Sequence, residues 1–127
     1  MPEKHLFEYA VIRVVPRVER EEFLNVGVIL FCSSQGFLQT LYTLDEKRLR
    51  AFSPHIDLEE IEQRLQAFTK VCAGRKEGGP IGQLGTASRF RWLTANRSTM
   101  VQVSPVHPGL CSDARETLEH LHAQLVL

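Results

Sequence analysis

The sequence predicts an α+β fold, a mainly antiparallel sheet of about four strands with helices packed chiefly on one face. Three observations carry this. β-Branched and aromatic runs gather within the first 44 residues, amphipathic patterns dominate the remainder, and helix-start signals recur at Asp45, Asp57 and Asp113. The 127 residues fit one domain, 1–127, with 43% apolar and 24% charged residues, enough apolar surface to offset chain entropy.

The first strand is residues 6–15, ended by Pro16, which cannot donate to a ladder. A charged connector, 17–23, with one helical turn leads to Leu24–Cys32. This run is almost wholly apolar, which predicts a central strand covered on both faces, or a strand with a bulge. Gly27 stands inside it, where a missing side chain marks a bulge or a close approach. Ser33-Ser34-Gln35-Gly36 turns the chain, and residues 37–44 return as an antiparallel strand.

Asp45 caps a short helix that Pro54 stops. Asp57 and Glu60 form a capping box for a second helix, with Leu58, Ile61, Leu65, Phe68 and Cys72 on one stripe. Residues 73–85 hold Gly74, Gly78, Gly79, Gly82 and Gly85 and predict a mobile loop. The glycine spacing matches neither a Walker loop nor a dinucleotide fingerprint. Ala87, Phe90 and Leu93 predict a third helix over 86–95, and Thr99–Val103 a fourth strand. Ser104 to Gly109, with two prolines and a glycine, predicts an end to strand pairing. Asp113 and Glu116 then open a last helix through Leu125.

Fifteen basic residues balance fifteen acidic ones, which removes general attraction to phosphate backbones or anionic membranes and disfavours nucleic acid as a partner. By segment the basic and acidic counts are nine and eleven in 1–72, five and one in 73–111, and one and three in 112–127. The stretch 73–111 is thus the basic one. The polar N-terminus lacks signal-peptide features, no run is long enough to span a membrane, and Cys32, Cys72 and Cys111 show no paired spacing. A cytoplasmic protein with reduced thiols is expected.

No cofactor or metal is expected. His120 and His122 lie about 200° apart around a helix axis and cannot share an ion. No catalytic residue is singled out, and an enzymatic role is not the preferred reading. One constellation could bind a phosphate or carboxylate, or a partner: Arg20, Glu22, Asn25, Arg89, Arg97, Ser98 and His107, with Arg91 and Ser104 nearby in sequence. Glu22 or His107 could serve there as a base. The structural alternative has Arg20 paired with Glu22, Asn25 satisfying backbone and His107 holding a turn. A turn that folds back would bring His107 near Asn25 and Gly27. The two free edges of a sheet in a neutral protein also make a homodimer an expectation.

Tyr9, Arg13, Pro16 and Arg20, the run Glu22-Phe23-x-Asn25-Val26-Gly27-Val28, Leu30-Phe31, Arg89 to Ala95 with Arg97-Ser98-Thr99, and Ser104-Pro105-Val106-His107 together resemble a bacterial family catalogued as domain of unknown function 3037. The resemblance spans nearly the whole chain. It implies a stand-alone bacterial cytoplasmic domain and a small interaction or regulatory module, a partner of a HipA-like kinase. The competing function is an enzyme or binder acting on a phosphorylated small molecule or nucleic acid through the arginine cluster.

Overall fold

The computed structural model describes residues 3–17, 20–95 and 100–127. Five antiparallel strands form one sheet: β1 (His5–Val14), β2 (Leu24–Cys32), β3 (Phe37–Tyr42), β4 (Val101–Val103) and β5 (His107–Cys111). The helices are α1 (Glu46–Phe52), α2 (Leu58–Ala73), the one-turn α3 (Gly79–Gly82), α4 (Thr86–Leu93) and α5 (Ala114–Leu125). The sheet runs β3-β2-β1, and the far edge of β1 is shared end to end by β4 and β5. None of these helices is long and apolar enough to cross a membrane.

The period-two pattern of β1 sends Ala10, Ile12 and Val14 to one face. There they join Ile29 and Phe31 of β2 against Leu49 of α1, Ile61 and Leu65 of α2, and Phe90 and Leu93 of α4. The opposite face carries Phe7, Val28, Leu30 and Cys32, covered by Ala114 and Leu118 of α5. Helices therefore lie chiefly on one face, with α5 on the other. This double cover explains the missing polar alternation in β2, where every side chain from Val26 to Cys32 is buried.

Both expectations for Gly27 hold. Ile12 pairs with Gly27 and Arg13 with Asn25, so Val26 is skipped and the ladder bulges there. A Cβ on Gly27 would come within 2.9 Å of Leu41 O and Tyr42 Cβ on β3. The strand pair closes too tightly at this point for any side chain.

Two expectations are corrected. Pairing does not end at Ser104: it lapses for three residues and resumes as β5, a fifth strand that contains Pro108 and Gly109. β5 is an edge strand, and an edge tolerates a proline whose missing N–H would have faced away from the ladder. Gly109 lies opposite Phe7, whose ring comes within 2.5 Å of where a Cβ would stand, so the aromatic ring covers the bare backbone. The glycine-rich segment is also more structured than a loop. It forms a 3-10 turn at Lys76–Gly78 and then α3, both packed on α2.

Candidate functional site

The arginine constellation is dispersed, because local backbone needs and ion pairs claim its members separately. Arg20 and Glu22 follow β1 and form an ion pair, Nε to Oε1 2.6 Å, with side chains 62% and 51% exposed. They line a cleft of about 260 Å³ with Arg17, Ser53 and His55 from the end of α1 and the turn after it. Two guanidinium groups and an imidazole there could receive a small anion.

Asn25 lies elsewhere. Its Nδ2 donates to Leu125 O at 3.2 Å, and beside it Arg48 Nη1 donates to Val126 O at 3.1 Å. Both satisfy carbonyls at the end of α5 that the helix itself cannot. Arg89 does the same for α2: Nη1 donates to Val71 O and Cys72 O at 2.9 and 2.7 Å, and Nε donates to Leu84 O at 3.0 Å. A cation there also complements the negative helix end. Gly74, left-handed at φ 69°, leaves the room, since a Cβ on it would stand 2.8 Å from the guanidinium.

Arg91, two residues on, faces β1 and grips Glu8 with both terminal nitrogens at 3.0 and 2.8 Å. These bonds raise the arginine pKa further above its usual value. Ser104 is buried in the lapse between β4 and β5 and serves Val11 of β1. Arg97 and Ser98 lie outside the described residues.

His107 does not approach Asn25 or Gly27, contrary to the fold-back expectation. It opens β5 opposite Tyr9, ring centroids 5.4 Å apart, while Asn25 pairs with Arg13. Four residues of strand separate Tyr9 from Arg13, about 13 Å. Among the described residues, then, no pocket unites Arg20, Asn25, Arg89 and His107. Arg20, Asn25 and Arg89 are each spent on a partner within the chain.

The titratable groups follow their surroundings. Burial pushes the Cys72 thiol up to about 11, against smaller opposing effects of the Thr40 hydroxyl and Arg89. Burial also raises Cys111 and Tyr42, the latter aided by its bond to Glu62, and lowers His122. Cys72 is thus a protonated, unreactive thiol at neutral pH. Among the described residues no three His, Cys, Asp or Glu side chains are grouped so as to hold a metal ion.

Two features were missed from sequence. Leu6 of β1 and Leu110 of β5 stand directly opposite each other, 63% and 66% exposed. They were invisible as a pair because their juxtaposition depends on the fifth strand. The second is Arg13. Its guanidinium lies 4.0 Å from the centre of the Phe23 ring, and its buried Nε has no acceptor among the described residues. An arginine inside an apolar strand run was the available signal.

No curated protein and no solved structure matches the chain. A family model described as protein of unknown function (DUF3037) matches residues 9–126, from Tyr9 of β1 to the residue after α5. The match takes in every strand and helix named above, save the first four residues of β1, and the chain belongs to that family.

Proposed function

We propose that this domain is a small interaction module that docks a partner protein at the β1/β5 edge. The observation that carries the reading is the Leu6–Leu110 pair. Two leucines directly opposed across strands, both about two-thirds exposed at 63% and 66%, keep apolar surface in water at the end of the sheet that the helices leave uncovered. Beside them β5 has, among the described residues, a neighbouring strand on one side only, so its outer backbone groups can extend the sheet into a partner strand. The partner put forward is a HipA-like kinase, on the strength of the family context.

The test is co-purification and titration calorimetry of the kinase with the full chain and with a Leu6→Asp, Leu110→Asp double variant. Both positions are exposed, so the variant should keep its circular dichroism spectrum. The expected result is association of the wild-type chain at about micromolar concentration, weakened at least about tenfold by the charges. Sedimentation of the chain alone distinguishes a homodimer formed through the same leucines. If neither the kinase nor a second copy binds through this pair, the reading fails.

A further inference from the structure

Arg13 is costly where it stands. Its side chain is partly buried, its Nε is shielded from solvent with no acceptor among the described residues, and none of their carboxylates pairs with it. A charged group taken out of water without a hydrogen-bond partner is costly. What it does have is the ring of Phe23, 4.0 Å away, itself 46% exposed. The ring lies against one side of the guanidinium, a cation–π contact, while the Nε–H is left without an acceptor among the described residues.

The register adds two neighbours. Arg13 pairs with Asn25 across one side and with Gln102 across the other, so three polar residues form one row over β2, β1 and β4. Directly opposed residues share a face of an antiparallel sheet, which places two carboxamides on either side of the cation. Asn25 commits an N–H to Leu125 O, which holds it beside the C-terminal end of α5.

We infer that Arg13, backed by Phe23 and flanked by Asn25 and Gln102, is the anchor of a binding site for a small oxyanion, the carboxylate or phosphoryl group of an organic ligand. The oxyanion supplies the acceptor and the counter-charge that Arg13 lacks among the described residues. The fork geometry of arginine suits two oxygens at once, and the Phe23 ring against it reduces the freedom lost on binding. This site lies on the sheet and is separate from the cleft at Arg17 and Arg20 and from the leucine pair.

The experiment follows the Arg13 Nε–Hε resonance of the 15N-labelled full chain during titration with inorganic phosphate and, separately, with acetate, at ionic strength held constant with chloride. The expected result is saturable movement with at least one anion at about millimolar concentration. Phosphate alone identifies a phosphoryl ligand, and acetate alone a carboxylate. Arg13→Lys, followed like the wild type by the side-chain amide resonances of the facing Asn25, keeps the charge but loses the fork and should weaken binding at least about tenfold, whereas Arg20→Ala should leave it unchanged. The inference is overturned if neither anion moves the resonance saturably, if Arg13→Lys binds as the wild type does, or if Arg20→Ala abolishes the effect. Should Arg13→Lys fail to fold, the wild-type titration and the Arg20→Ala arm decide the matter.

Discussion

Ser104 carries a large share of the sheet's integrity for one hydroxyl. Its N–H donates to Val11 O at 2.8 Å, its Oγ accepts from Val11 N at 2.8 Å, and the same hydroxyl donates to Pro105 O at 2.9 Å. Both backbone groups of Val11 are thus met by one residue while the chain steps out of the ladder. Without the hydroxyl, a buried N–H in the most paired strand of the sheet has no acceptor. Ser104→Ala is therefore expected to cost about 1–3 kcal/mol, read as a lower urea midpoint at unchanged slope. A change under about 0.5 kcal/mol would mean that water takes the vacated place.

At the scale of elements, the end of α2 and the glycine-rich segment behave as one unit through Arg89. α2 starts with Asp57 accepting from Glu60 N and ends in a left-handed Gly74 whose N–H reaches Val71 O. Arg89 then clasps Val71, Cys72 and Leu84 carbonyls, so α4 is tied to α2 across the residues between. Hydrogen bonds from a charged donor are worth about 1.5–3 kcal/mol, and Arg89→Met should lower stability by that order. Amide exchange in 73–85 should accelerate in this variant before that of β1 and β2 does. Arg89→Lys should recover only part of the loss, since an ammonium cannot span the same carbonyls. Exchange equal to wild type in both variants would show that the segment holds without the clasp.

For the whole molecule, the seat of α5 decides whether the sheet has one core or two. Its apolar stripe, Ala114 and Leu118, covers Val28, Leu30 and Cys32, and its far end is joined to the strand side by His122 Nε2 and Thr43 Oγ1 at 2.9 Å. Burial holds the His122 pKa below its ordinary 6.5. The unfolded chain therefore takes up this proton more readily than the native one as pH falls. The stabilisation is present above about pH 6.5 and declines as pH drops through that value, levelling off once the native ring protonates too. Urea midpoints measured from about pH 7.5 down to about 5.5 should fall, and His122→Gln should flatten that part of the profile. An identical profile in the variant would assign the decline to other groups.

Much of this protein was legible as local chemistry. The caps at Asp45, Asp57 and Asp113 each accept from the backbone N–H three residues on, as their spacing required. The unbroken apolar run of β2 announced a strand covered twice, and Gly27 a place where backbones meet. These features depend on neighbours within a few residues, or on burial that the run itself records. β5 was not legible, because whether Pro108 and Gly109 can join a ladder depends on their lying at an edge, under the ring of Phe7, which is a fact about residues a hundred positions away. The arginines illustrate the same limit. Arg89 and Arg91 sit two residues apart on one helix, yet one turns to the carbonyls closing α2 and the other to Glu8. A charge in a sequence states what it needs, while its partner is chosen by whichever donor or acceptor the fold brings within about 3 Å. Arg13 lies opposite two carboxamides, sits against the Phe23 ring and has no carboxylate partner among the described residues, and only the tertiary arrangement could make it so.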